Sequence, residues 1–180
     1  MRSLVAICSG IFLCLVVFAA PSRAQMGGQV ASPPAKADCT FSDGKTIHVD
    51  YFSPRMRGRK IFGGLVPYGE PWRAGANDAT TFIIDVNVTV AGKEVPAGSY
   101  TLFTLPTQDG WTLIISKQTG EWGIPYPGEE YDFARVPMKV SKLPSPVENF
   151  TIAFDQGGKT CTMRLDWETT RAVVEITEKK

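Results

Sequence analysis

Histidine is nearly absent from this sequence. His48 is the one imidazole among 180 residues, which excludes any zinc site built on two or three histidines and leaves a single residue for every histidine-based mechanism. An excess of either charge is missing too, since 19 basic residues face 18 acidic ones. That balance excludes a generally basic nucleic-acid binder and an acidic disordered tail. Long apolar runs are scarce: Leu4 to Phe18 gives about 15 residues where a helix needs ~20 to cross a bilayer. Uninterrupted stretches are also rare, because 17 glycines and 13 prolines punctuate the chain, a pattern that favours short strands and turns over a helical bundle. No serine sits in a G-x-S-x-G elbow, and phosphate loops, dinucleotide fingerprints and calcium loops are missing. No metal or cofactor is expected.

What is present begins with an address. Met1-Arg2 opens a short cationic region, the apolar run follows, and Ser22-Arg23-Ala24 supplies small residues where a signal peptidase reads. Residues 1–24 are expected to be a signal peptide, and the product to be exported to a periplasmic or extracellular compartment with no transmembrane anchor. Export gives the cysteines meaning. Cys8 and Cys14 leave with the leader, so Cys39 and Cys161 remain where thiols oxidise, and a disulfide between them is expected. Residues 25–37, with Gly27-Gly28 and Pro33-Pro34 and no periodicity, read as a flexible tether. Residues 38–180 are then one domain.

Alternation marks the strands. Ile47, Val49 and Tyr51 share one face of a strand over Thr46 to Phe52, opposite His48 and Asp50. Phe82 to Val90 reads as a second strand, with its even positions inward and Asp85, Asn87 and Thr89 outward. Tyr100 to Leu105 and Trp111 to Ser116 flank Asp109-Gly110, a pair that suits a hairpin turn with positive φ angles. Val136 to Val140, Phe150 to Phe154, Cys161 to Trp167 and Ala172 to Ile176 follow. Cys161 shares a face with Met163, Leu165 and Trp167, and Cys39 with Phe41, so both cysteines point inward. The expected fold is all-β: a single-domain antiparallel β-sandwich, jelly-roll-like, with two long end loops.

Those loops are Ser53 to Thr80 and Lys117 to Ala134, both longer than the ~12 to 15 residues beyond which a structureless connection is usually functional or disordered. The first is basic and the second acidic, and both carry large rings, which suggests that they pack together. In and near them stand Gly58-Arg59-Lys60-Ile61-Phe62-Gly63-Gly64-Leu65-Val66-Pro67-Tyr68-Gly69, Pro71-Trp72-Arg73-Ala74-Gly75-Ala76-Asn77-Asp78-Ala79-Thr80-Thr81 and Trp122-Gly123 with Tyr126. Val95-Pro96-Ala97-Gly98-Ser99-Tyr100-Thr101-Leu102-Phe103-Thr104 and Leu165-Asp166-Trp167-Glu168 lie on the strands. Together these motifs, in this order, resemble a bacterial exported family catalogued as domain of unknown function 2911. The resemblance covers nearly all of Cys39 to Ile176 and implies an exported, mainly β domain. It brings no activity or catalytic residues. Ser116-Lys117 departs from the Asn-Lys pair expected at that place.

The candidate ligand-binding residues are Trp72, Arg73, Asn77, Trp122, Tyr126 and Tyr131. Flat rings can stack on the apolar face of a sugar or an aromatic ligand while Arg73, Asn77 and Glu121 fix its orientation. The competing reading makes these rings a plug for the open end of the sandwich. Arg55, Arg57, Arg59 and Lys60 are candidates for gripping phosphate or an acidic polymer through guanidinium forks, against the reading of a solvated face. Glu70, Asp78, Glu121 and Asp132 are the loop carboxylates that glycan hydrolysis would draw on, and a catalytic arrangement of His48 with Asp50 is weighed against an exposed polar face. No catalytic residue is assigned. The expected function is a non-enzymatic binding or interaction module, its partner a glycan, an anionic small ligand or an envelope protein, and not a nucleic acid. A carboxylate-dependent glycan hydrolase and a structural envelope protein are the alternatives.

Overall fold

The computed structural model describes residues 31–179; the expected signal peptide and the first residues of the expected tether lie outside them. Nine strands are present among the described residues: β1 (Pro34–Thr40), β2 (Thr46–Phe52), β3 (Thr80–Ile84), β4 (Val88–Val90), β5 (Lys93–Val95), β6 (Gly98–Pro106), β7 (Trp111–Ser116), β8 (Asp132–Gly157) and β9 (Thr160–Glu178). They form one open antiparallel sheet in the order β1-β2-β3-β6-β7-β8-β9-β4-β5. One 3₁₀ turn, Glu129–Tyr131, accompanies them. No helix among the described residues is long and apolar enough to cross a membrane.

Two long strands make this sheet sandwich-like. The start of β8 pairs with β7 up to Met138, and from Lys139 the strand pairs with β9. The β8–β9 register shifts between Lys142 and Thr151, a stretch that contains Pro144 and Pro146. Proline cannot donate to a ladder, so the strand bends there instead of running flat. The far part of β8 thereby meets the end of β2: Ser53 Oγ donates to the Phe150 carbonyl at 2.6 Å, and Phe150 N donates to the Pro54 carbonyl at 2.9 Å. Cys39 on β1 is bonded to Cys161 on β9, with Cα atoms 6.2 Å apart. Both cysteines are completely buried, as the inward period of their strands requires.

The interior follows the alternation. Ile47, Val49 and Tyr51, Phe82 and Ile84, and Cys161, Met163, Leu165 and Trp167 are all buried in one core cluster. Asp166 is a buried exception, and it is compensated: Arg171 grips its two oxygens at 2.7 and 2.6 Å, and Arg164 adds a contact at 3.1 Å.

Four expectations need correction. Pro34 to Ala37, expected to be tether, are strand instead, paired with Phe52 to Val49 in β1–β2; Ala35, Ala37 and Cys39 share an inward period too short and too alanine-rich to stand out in the sequence. Phe82 to Val90 is two strands on opposite parts of the sheet: β3 pairs with β2 and β6, whereas β4 pairs with β5 and β9. Asp85 and Asn87 break the ladder by serving other backbone, Asp85 accepting from the Thr46 amide at 3.2 Å and Asn87 from the Ala97 amide at 2.9 Å. Val86 is only half-buried in this crossing. The β6–β7 hairpin exists, but Gly110 is not left-handed; Thr107 closes the loop by donating its N–H and its hydroxyl to the Gly110 carbonyl at 2.9 and 2.7 Å. The positive φ pair sits instead at Ala91 and Gly92, at 45° and 87°, where two residues join β4 to β5. Finally, the four late segments are parts of just two strands, β8 and β9.

Candidate functional site

The β2–β3 connection, residues 53–79, folds inward first. Ile61, Phe62, Val66 and Ala74 are buried in the main core, and Phe62 sets its ring against Trp111 at 4.6 Å. Gly63 turns the chain at φ 75°, and a Cβ there would stand 2.6 Å from the Tyr68 ring. Close approach and left-handed backbone together demand glycine at this position. Two reciprocal bonds then clamp the loop to β6: Trp72 N donates to the Thr104 carbonyl at 2.7 Å, and Thr104 N to the Trp72 carbonyl at 2.8 Å. The Trp72 ring stacks on Trp167 at 5.6 Å and meets Phe150 edge-on at 4.9 Å. Trp72 therefore belongs to the plug.

The β7–β8 connection, residues 117–131, covers the other face of the sheet. Phe103, Ile114 and Ala79 form a second, smaller buried cluster with Leu105 and Tyr126 packed on it, so β6 and β7 are buried on both sides. Tyr126 meets Phe103 edge-on at 5.2 Å, and its hydroxyl donates to Asp132 at 2.5 Å. Burial and the Asp132 carboxylate push the Tyr126 phenol up to about 12. Arg135 completes the anchor with 2.6 Å to Asp132 and 3.1 Å to Glu129.

The two connections meet, as expected, but through rings and backbone rather than opposite charges. Ala79 N donates to the Glu121 carbonyl at 3.1 Å, and Arg73 Nη1 to the Trp122 carbonyl at 3.0 Å. The Arg73 guanidinium stands 5.1 Å from the Trp122 ring centre, within cation–π reach. Gly123 fits where a Cβ would be 2.9 Å from that of Ala79. Of the acids of the second loop, Glu129 and Asp132 pair with Arg135 and Glu121 keeps a buried Oε1 without a partner, and among the described residues none comes within 4.0 Å of the basic run.

Of the candidate residues, Trp72, Arg73 and Trp122 come together. Asn77 does not join them: it holds a left-handed turn at φ 55° and donates to the Ser32 carbonyl at 3.4 Å. Tyr126 lies on the covered outer face, and Tyr131 is exposed beside Ser116 and Lys117, which donate to its carbonyl at 3.4 and 2.8 Å. In the basic run, Arg55 donates to Ser53 Oγ at 2.9 Å, and Arg59 is tied by Nε and Nη2 to the Met56 and Arg55 carbonyls at 2.9 and 2.7 Å. Arg57 and Lys60 are exposed. His48 sits between two carboxylates, bonded to Asp38 through Nδ1 and to Asp50 through Nε2 at 2.9 Å, while Lys36 reaches Asp50 at 3.0 Å. Among the described residues no serine belongs to this cluster.

Where the loops meet, they leave a cavity of about 280 Å³, lined by Trp72, Trp167, Val66, Leu65, Ile124, Arg59 and Arg73 among others. Leu65 and Ile124 were not singled out in the sequence; they are 46% and 62% exposed, and Trp122 beside them is 56% exposed. Their signal was an apolar residue inside a glycine- and proline-rich loop, Gly64-Leu65 and Gly123-Ile124-Pro125. A larger groove of about 520 Å³ runs along β1–β2, touching Lys36, Asp50, Phe52 and Asp78. The Lys36–Asp50 pair there is already formed. The model of a family described as protein of unknown function (DUF2911) matches residues 32–176.

The chain belongs to the DUF2911 family.

The match takes in both long connections and all the strands except the last two residues of β9, so the loop cavity lies within the DUF2911 domain. Comparison with curated proteins and with solved structures gives no match.

Proposed function

We propose that this DUF2911 protein is an exported, non-enzymatic binding module whose site is the mouth formed by residues 53–79 and 117–131. The observation that carries the reading is the division of the loop aromatics. Trp72 is spent on the core, whereas Leu65 and Ile124 stand open to solvent in the lining of one cavity and the exposed Trp122 ring stands 5.1 Å from Arg73, which also lines it. Isolated exposed apolar residues need no explanation, but three beside a concave, aromatic-backed site form the surface that ligand recognition uses. Rigid strands present them: the Trp72–Thr104 bridge and the Tyr126–Asp132–Arg135 anchor fix both loops. The hydrolase alternative has less support, since no carboxylate lines this cavity among the described residues. The envelope-structure alternative calls for an uncovered apolar edge, whereas edge strand β1 shows solvent Pro34, Lys36, Asp38 and Thr40. A screen of glycans and small anions against the wild type and Trp122→Ala tests the reading. Binding that weakens in a variant whose melting temperature moves by no more than ~4 °C supports it; a ligand bound equally well by both proteins refutes the assignment of the site.

A further inference from the structure

Resting on the loop mouth as a binding site, we propose that its ligand is an anionic amphiphile: a carboxylate or phosphate group seated on Arg73 and Arg59, with an apolar body laid along Leu65 and Ile124. The arginines of the molecule provide the comparison. Arg171 and Arg164 are matched by Asp166, and Arg135 by Asp132, each at 3.1 Å or less. Arg55, Arg57 and Arg59 also have no carboxylate within 4.0 Å among the described residues, but none of them has a buried nitrogen without a partner; Arg164 has one, its Nε, with Asp155 3.3 Å away, and Arg73 has one with no acid beside it. Its Nε is buried with no partner, its Nη1 reaches only a backbone carbonyl, and no carboxylate lies within 4.0 Å among the described residues.

Arg73 is half-buried with its Nε shielded from water, and a charge desolvated without a counter-charge is costly, the usual remedy being an acid in the fold. Here the fold supplies none. Burial pulls the Arg73 guanidinium below its ordinary value, opposed only by the pull of the Asp78 charge. An arriving anion would compensate this charge. Arg59 lines the same cavity, and the two carbonyl contacts that hold it fix its plane, as fork-to-oxyanion geometry requires. The exposed Leu65 and Ile124 side chains make the rest of the lining unsuited to a bare inorganic ion. The larger groove along β1–β2 has no comparable group, its lysine being already matched by Asp50.

The test compares two probes with the same tail, dodecyl phosphate and dodecyl maltoside, titrated calorimetrically below their micelle concentrations. Dodecyl phosphate is expected to bind the wild type about tenfold or more tightly than the maltoside, to weaken with added salt, and to lose about tenfold in Arg73→Gln. Arg59→Gln, on an exposed side chain, serves the same purpose should Arg73→Gln fold poorly. Ile124→Ser should weaken both probes. Equal binding of the two probes, lowered by Ile124→Ser and indifferent to both arginine variants, would overturn the anionic preference and leave the loop-mouth site standing. Failure of dodecyl phosphate to bind, or binding that no variant touches, would overturn both.

Discussion

Replacing Trp72 and Trp122 by alanine, one at a time, should separate the two roles that the loop aromatics have divided between them. Trp72 stacks on Trp167, meets Phe150 and Phe62 edge-on, and packs against the main core. Truncating a buried aromatic costs about 3 to 5 kcal/mol, and because Trp72 keeps part of its surface in water the low end, about 3 kcal/mol, applies. For a domain of this size each kcal/mol is worth ~2 to 4 °C, so the melting temperature should fall by ~6 to 12 °C. Trp122, 56% exposed, forfeits chiefly its contact with the Arg73 guanidinium, an interaction of about 0.5 to 1 kcal/mol, and its melt should move by no more than ~4 °C. Circular-dichroism melts of the two variants beside the wild type decide the matter. Comparable destabilisation by both would show that Trp122 is also a plug, and the open shelf would disappear with it.

The disulfide and the histidine cluster provide two further tests. Cys39 and Cys161 lie 122 residues apart, and loop-closure entropy for such a span gives about 5 kcal/mol at most; the double Cys39→Ala, Cys161→Ala variant should melt ~10 to 20 °C lower, and a shift below ~3 °C would contradict the entropic estimate. The bond to Asp38 raises the His48 imidazole above its ordinary value against the opposing effect of burial, and the bonds and charges of Asp50 and Asp38 add to the rise. A raised folded value stabilises fully below the unfolded value of about 6.5 and is lost as pH rises through the folded one. Stability should therefore decline above about pH 6.5 with a slope that His48→Gln removes, and an imidazole titrating at or below ~6.5 by NMR would refute this. Burial pushes the Asp50 carboxyl up, but Lys36 and His48 outweigh it and hold it low, so its contribution fades only at acid pH, outside that window.

Much of the fold is legible in the sequence because burial imposes period two. The inward set Ile47, Val49, Tyr51 and the set Cys161, Met163, Leu165, Trp167 are buried together, and they bring the two cysteines within bonding reach. Period two does not say which neighbour a strand pairs with, and so Phe82 to Val90 read as one strand although its halves join different partners. Nor does it distinguish a bent strand from two short ones, which hid the continuity of β8. At the site, ring chemistry pointed to Trp72 and Trp122 alike; only packing against Trp167 separates the plug from the shelf. Leu65 and Ile124 escaped because their one local mark, an apolar residue in a glycine- and proline-rich loop, does not say whether the side chain is exposed: Val66, next to Leu65, is buried. The uncompensated state of Arg73 depends on where every acid lies in space, which no spacing along the chain encodes.

The most direct test of the loop mouth as the ligand site is a map of amide chemical-shift changes in ¹⁵N-labelled protein titrated with dodecyl phosphate. The expected result is a set of changes confined to residues 59–66, 72–76 and 121–124, with the Trp122 indole N–H among the largest. Changes centred on Lys36, Asp50 and Thr81, which line the larger groove along β1–β2, would contradict it.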